Sequence, residues 1–322
     1  MAAYDILSFL SSNEWISGEE IASRQKVSRA AVWKQIQALR RRGYEISACT
    51  GKGYRLAKRP DLLDADRIKS CLKTKWLGRE MRILTDVSST NDAALSLAPE
   101  CPNGTVILAE TQTQGRGRLS RPWASPPGGI WMSLILKPKM PLAHVSRINM
   151  AVAVAVSKAI SSLGLQAGIK WPNDLLIGEQ KICGILMEVR AEVDRLDYAV
   201  VGLGLNANVD ISGFPEDWRS ISLAAQLGHD ISRCELIARI LEEVEEAYER
   251  MGSNEIYEEW RNRSVTLKRL VRITSAEGNY VGEVADLAED GALLLQAGGK
   301  CKRVLAGDCI HLRAQDREAE AL

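Results

Sequence analysis

The chain has 322 residues, 46 % of them hydrophobic and 26 % charged, with a formal net charge of +1. That length holds two or three domains with a substantial core, and the composition is ordinary for a soluble globular protein. Seven cysteines, odd in number and without a C-x-x-C pair, argue against a disulfide framework or a zinc site and for a reducing cytoplasm. The opening residues Met1–Asp5 lack the basic and apolar regions of a signal peptide. The most apolar run, 148–156, is too short to span a bilayer, so no membrane association is expected.

Residues 1–58 read as a module of their own. Tyr4, Ile6, Leu7 and Leu10 have helical spacing. Ser17-Gly18-Glu19-Glu20 is a capping box that opens a second helix through Ala22, with Glu20 reaching back to Ser17. After the turn at 25–27, Ser28 caps a third helix with Val32, Ile36 and Leu39 inward. Arg29, Lys34, Gln37, Arg40, Arg41 and Arg42 are left to face out. Strands at 44–46 and 54–56 flank Thr50-Gly51-Lys52-Gly53, a hairpin with a basic tip. The pattern is a winged helix-turn-helix. Ten Lys and Arg against five Asp and Glu make this segment +5 in a chain of +1, the footprint of phosphate contacts. Ser28, Arg29, Lys34, Gln37, Arg41 and Lys52 are the candidate DNA contacts. Trp33 either reaches DNA or covers the core.

Pro60 marks a joint, and a central domain is expected over 66–265. It starts with a helix over 66–72 and a strand over 81–84 that leads into Ser88-Ser89-Thr90-Asn91 and another helix. Hydroxyl and amide side chains at that turn suit either a small polar ligand or a plain N-cap. The strand 105–110 delivers Gln112 and then Gly115-Arg116-Gly117-Arg118-Leu119-Ser120-Arg121-Pro122-Trp123. Glycine allows close approach or positive φ, and arginine forks match carboxylate and phosphate oxygens, so the run fits a mobile loop that closes over an anion. A strand at 129–136 and a helix at 148–163 follow. Lys170-Trp171-Pro172-Asn173-Asp174 opens a hairpin with arms 174–177 and 180–188. By the period of two, Lys181 shares a face with Cys183 and Ile185. Gly202 and Gly204 alternate in a strand, where missing side chains let a ligand or backbone lie close; Asn206 follows where a dinucleotide fingerprint needs a third glycine. The loop 210–218 ends in Trp218, and Leu236, Ile240, Leu241, Val244 and Ala247 mark an amphipathic helix over 232–251, extended by 255–261. From residue 266 short strands at 271–273, 280–284, 292–295 and 301–304 are separated by turns at 278–279, 290–291 and 298–299, a small β-barrel of the SH3 kind ending near 316. The tail 317–320 is expected to fray.

Four ordered blocks, 86–91, 115–123, 170–188 and 201–208, together with the N-terminal module, resemble the biotin–protein ligases of the bifunctional bacterial kind, ligase and biotin-operon repressor in one chain. The family loop usually reads G-R-G-R-R-G-R-x-W; here Leu119-Ser120 replaces the central Arg-Gly. The resemblance implies an α+β chain: winged helix-turn-helix over 1–58, α/β ligase domain with a mixed sheet of the class II synthetase kind over 66–265, and SH3-like barrel over 266–316. It implies formation of biotinyl-5′-adenylate from biotin and Mg²⁺-ATP, then transfer to a lysine of a biotin carboxyl-carrier protein. Lys181 and Arg118 would be catalytic. Ser89, Thr90, Asn91, Gln112, Arg116, Gly117, Arg118 and Lys181 would hold biotin, and Arg121, Trp123, Lys170, Asn173, Asn206 and Trp218 the nucleotide. No protein nucleophile is implied. Operator DNA and an adenylate-bound homodimer are the further partners implied. A lipoate–protein ligase or acyltransferase on the same fold, or a ligand-sensing transcription factor without catalysis, are the rival readings.

Overall fold

A computed structural model of the chain describes residues 6–41, 44–58, 60–192, 195–275 and 277–312. They fall into two compact units, one up to Leu62 and one from Leu63 onward.

In the first unit, helix α1 (Gly18–Gln25) starts where Ser17 Oγ accepts the Glu20 amide at 3.0 Å. It stops at Lys26, whose left-handed φ of 55° turns its N–H onto Ala22 and Ser23 carbonyls. Helix α2 (Arg29–Arg41) follows, with Ser28 Oγ accepting the Ala31 amide at 3.2 Å. Strands β1 (Glu45–Cys49) and β2 (Gly53–Lys58) pair antiparallel, leaving Lys52 exposed at the tip. Val32, Ile36 and Leu39 are wholly buried against Ile21, Ile46 and Leu56. Three expectations need correction. Among the described residues only a 3-10 turn, Ile6–Ser8, stands where the first helix was expected, and Tyr4 lies outside them. Glu20 does not reach back to Ser17; its carboxylate is taken by Arg24 one turn on, where opposite charge wins over a neutral amide. Arg40 does not face out freely, because its guanidinium donates to the Ile46 carbonyl and ties α2 to the hairpin. Arg42 lies outside the described residues. Trp33 is 54 % exposed and so does not cover the core.

The second unit runs through α3 (Ala65–Cys71), β3 (Met81–Val87), α4 (Thr90–Leu97), β4 (Thr105–Gln112), β5 (Ile130–Leu136) and α5 (Ser146–Ser161). It continues with β6 (Gly168–Lys170), β7 (Asp174–Ile177), β8 (Gln180–Glu192), β9 (Arg195–Leu205), α6 (Leu223–Leu227), α7 (Arg233–Arg250) and α8 (Glu255–Asn262). The seven strands form one mixed sheet in the order β3-β4-β5-β9-β8-β7-β6, parallel only between β3 and β4. Alternation sorts the side chains. Val106 and Leu108 face the main core with the apolar sides of α5 and α7, while Ile107 faces Ala94, Ala98, Ile135 and Val200 under α4.

A bulge in β8 corrects the face assigned to Lys181. Leu175 pairs with Cys183 but Leu176 pairs with Lys181, so Ile182 is the extra residue. One extra residue switches the side-chain phase. Cys183 and Ile185 join the main core, and a Cβ at Gly184 would stand 3.4 Å from Lys181 Cε. Lys181 therefore shares its face with Gly184.

Beyond α8 the chain forms a five-stranded antiparallel sheet in the order β13-β12-β11-β10-β14, from β10 (Leu270–Ser275), β11 (Gly278–Leu287), β12 (Leu293–Ala297), β13 (Lys300–Val304) and β14 (Asp308–His311). Among the described residues β13 and β14 do not pair, so the sheet is open. Val271, Ile273, Val284 and Leu295 merge with the main core. Gly278 and Asn279 are not a turn but the start of β11, opposite Ser275 and Thr274. Strand β14 escaped the sequence pattern because Asp308-Cys309-Ile310-His311 has too few apolar residues to signal one. The tail 317–320 lies outside the described residues.

Candidate active site

A cavity of about 570 Å³ opens on the face of the mixed sheet that carries α4. Its floor is a glycine pair: Gly184 on β8 lies opposite Gly204 on β9, and Gly202 is one step along. The bare strip is filled by side chains from elsewhere. A Cβ on Gly204 would stand 2.5 Å from Trp123 Nε1, and one on Gly184 3.1 Å from the same indole. A Cβ on Gly202 would overlap the Asn91 amide. The alternating glycines thus admit an asparagine and a tryptophan where the sequence suggested a ligand or backbone.

At one end stands the start of α4. Ser89 caps the helix, its Oγ accepting the Asp92 amide at 3.4 Å. Gln112 Oε1 accepts the Thr90 amide and hydroxyl at 2.8 and 3.1 Å, and its Nε2 donates to Ser125 Oγ at 2.7 Å. Asn91 is saturated: Nδ2 donates to Leu186 O and Glu188 Oε2 at 3.2 and 2.7 Å, and Oδ1 accepts from Ser133 at 2.7 Å. Ser89, Thr90 and Asn91 are 2–4 % exposed, so the polar wall is rigid before any ligand arrives.

The arginine loop forms the lid. Its glycine at 117 has an ordinary φ of −101°, whereas Leu119 and Ser120 take left-handed φ of 53° and 57°. The strain sits on the two residues that depart from the family pattern, since side chains with a Cβ resist that region. Three arginines hold the loop down. Arg116 pairs with Asp92 and Glu188 at 2.6 and 3.1 Å, and the Asp92 contact, ahead of Glu188, raises its pKa further. Arg118 donates to Gly307 O at 3.0 Å; burial lowers its pKa, against the pull of Asp308 and Asp174. Arg121 is paired with Asp308.

The other end is cationic. Lys181 Nζ sits 2.7 Å from Asp174 Oδ1 and 4.9 Å from the centre of the Trp123 ring. Lys170 lines the cavity, its side chain making no hydrogen bond or ion pair among the described residues. Asn173 lines it too, its side chain bound to Ile185 O at 2.6 Å, and Trp218 closes the rim beside Phe214. Cys309 also lines the wall, its thiol pushed up to about 12 by burial, which leaves it inert as a nucleophile.

All the residues singled out for ligand handling border this one cavity except Asn206. Asn206 is 1 % exposed, donates to Ile221 O at 3.1 Å, and has an unpartnered Oδ1 beneath the wall. It bridges β9 to the 221 segment, which its place in a glycine-rich strand did not reveal. Glu188, Ser125, Ser133 and Asp308 were missed. Stepping in twos from Lys181 passes over Glu188, because the extra residue at Ile182 shifts the phase.

Three family models match in chain order: a helix-turn-helix domain over residues 3–55, the biotin/lipoate A/B protein ligase family over 84–206, and the biotin protein ligase C-terminal domain over 266–312. The bifunctional ligase/repressor BirA of Bacillus subtilis is 38 % identical, over 92 % of this chain and 94 % of its own. That of Escherichia coli is 28 % identical over 97 % of each. Among solved structures, a biotin protein ligase from Aquifex aeolicus in complex with biotin and ATP superposes with a TM-score of 0.63 at 27 % identity, over 73 % of this chain and 100 % of that one. With a helix-turn-helix and a biotin/lipoate ligase domain in one chain, and 38 % identity to a bifunctional ligase/repressor over 92 % of its length, this chain belongs to the bifunctional biotin–protein ligase/repressor family.

Proposed function

We infer that the protein is an ATP-dependent biotin–protein ligase that also represses transcription through its helix-turn-helix. The observation that carries the ligase reading is the polarity of one cavity: a saturated amide and hydroxyl wall at one end and Lys170, Lys181 and Arg118 at the other. Ser89, Thr90, Gln112 and the backbone at Gly117 face the ureido ring, with Asn91 fixing the wall. Arg121, Asn173 and the indoles of Trp123 and Trp218 serve the nucleotide.

The first step joins two anions. A carboxylate oxygen of biotin attacks the α-phosphorus, the new O–P bond forms in line with the breaking P–O bond, and pyrophosphate leaves with its electron pair. Lys181 and Arg118 offset the repulsion and the charge that grows on the phosphoryl oxygens. Asp174 holds the lysine ammonium where that charge appears. In the second step the neutral amine of the acceptor lysine attacks the acyl carbon, AMP departs, and an amide remains on the carrier protein.

Magnesium is expected with the triphosphate. Among the described residues no three Asp, Glu, His or Cys groups cluster as a metal site. An ion there would be held mostly by phosphate and water oxygens; Asp174 and Asp308, the acidic side chains that line the cavity, are paired with Lys181 and Arg121. When bound, it neutralises phosphate charge.

The same reading divides the chain into 1–58, 66–265 and 266–316, with an SH3-like kinship for the last. It has biotinyl-adenylate favouring a homodimer that occupies two half-sites, while an unmodified carrier protein competes for the same surface. The test is mass spectrometry of a carboxylase carrier domain after incubation with the protein, ATP and equal biotin and lipoate. A gain of the biotinyl mass alone is expected; a lipoyl gain alone, or none with no pyrophosphate released, would overturn the reading.

A further inference from the structure

Trp33 is the largest apolar side chain left open on the first unit, 54 % exposed on helix α2. Tryptophan is enriched at contact surfaces because its indole joins a large apolar face to one polar N–H. Its neighbours say what the contact is. Arg29 and Gln37 lie one turn before and one turn after it on the same side, Lys34 follows it, and Arg41 lies further along; the buried stripe Val32, Ile36, Leu39 is centred about a quarter turn to one side. Arg29, Lys34 and Arg41 are exposed, Gln37 is half-exposed, and none of these side chains is spent on the core. Arg29 pairs only loosely with Glu19, at 3.6 Å with both side chains 75 % exposed, a contact that salt and a competing phosphate dissolve. An apolar ring ringed by cations on the second helix of a helix-turn-helix does not suit an apolar protein groove. It suits the major groove of DNA, where phosphates take the cations and one group, the thymine C5-methyl, is apolar.

We propose that Trp33 is a specificity-determining residue of the DNA interface, reading thymine by apolar contact with its methyl group while Arg29, Lys34 and Arg41 bind phosphates. The proposal rests on the repressor reading above. It divides the labour of α2: charge sets affinity for any duplex, and the indole sets the preference among sequences. Because Trp33 carries no charge, its loss leaves the salt dependence of binding unaltered, whereas loss of Arg41 reduces it.

The experiment starts with the full chain, biotin and ATP, and selects duplexes from a random pool. The tightest duplex is then titrated against the unmodified protein, Trp33→Ala and Trp33→Phe, with each thymine replaced in turn by deoxyuridine, which lacks only the methyl. At one or two positions deoxyuridine should weaken binding to the unmodified protein about fourfold, the worth of one buried methyl. The same replacements should leave Trp33→Ala indifferent. Trp33→Ala should lose ~10-fold or more on the selected duplex and about twofold or less on random-sequence DNA, at an unchanged salt slope, with Trp33→Phe between. Circular dichroism melting of each variant guards against misfolding, which half-exposure makes a small effect. If Trp33→Ala binds the selected duplex as tightly as the unmodified protein, or still senses the missing methyl, the proposal is overturned while repression stands. If Trp33→Ala alters sedimentation but not DNA binding, the indole serves a protein contact and the proposal is equally overturned. If no duplex is enriched, the repressor reading falls and takes this inference with it.

Discussion

Lys181 Nζ is held 2.7 Å from Asp174 Oδ1, across the hairpin from which both side chains enter the cavity. The pair is half-buried, and its geometry depends on the bulge at Ile182 that turns Lys181 inward. Lys181→Ala should lower adenylate formation by ~10²- to 10³-fold in single-turnover assays, the scale of losing one preorganised charge contact. Asp174→Asn should retain the lysine charge but misplace it and lose about tenfold. Unchanged rates in folded variants would remove Lys181 from the chemistry.

Gly204 tests the floor. With a methyl group 2.5 Å from Trp123 Nε1, Gly204→Ala must push the indole off the sheet. Overpacking of this kind costs about 1–3 kcal/mol, and the displaced ring should narrow the cavity. Thermal unfolding should show the lower stability, and calorimetric titration with biotin and ATP a weaker affinity.

The loop is strained at Ser120 and latched at Asp308. Ser120→Gly removes the left-handed penalty at φ 57° and should stabilise this loop conformation by ~1 kcal/mol. Asp308→Asn removes the charge that holds Arg121 and should weaken the latch. Amide exchange over residues 115–123 should slow in the first variant and quicken in the second. Equal exchange in both would show that neither feature governs the lid.

His311 makes stability depend on pH. Burial, with Lys170 and Arg269 adding repulsion, lowers its pKa to about 4 in the folded chain, and Nε2 meets Thr266 Oγ1 at 3.1 Å. The unfolded chain takes up a proton near the ordinary histidine value of about 6.5, whereas the folded chain does not. Stability is therefore full above about 6.5 and declines as pH falls towards 4, below which this contribution is lost entirely. Allowing for partial exposure, the loss is ~1–2 kcal/mol. His311→Gln should flatten denaturant midpoints between pH 6.5 and 4.5, and an unaltered slope would contradict the assignment.

Much of the site was legible before any coordinates. The ordered blocks that carry Thr90, Gln112, Arg118, Trp123, Lys170, Lys181, Gly202 and Gly204 resemble one family, to which the chain does belong, and these residues all border one cavity. Helices α2 and α7 were equally plain from their apolar spacing, since a helix repeats its environment every 3.6 residues and a sequence preserves that period. What spacing alone could not supply was phase after an irregularity and partners distant in the chain. The extra residue at Ile182 reverses the face of every later side chain in β8, which is how Glu188 comes to bind Asn91 and Arg116. The lid is latched by Asp308, 187 positions away, on a strand with no apolar signature of its own. Asn206 stands in the same motif as Gly202 and Gly204, yet packing turns it beneath the wall and away from the cavity. Which residue types were needed is a matter of local chemistry and is written along the chain. Which of them meet was decided by tertiary packing, because a contact between distant segments leaves no period or spacing in either one.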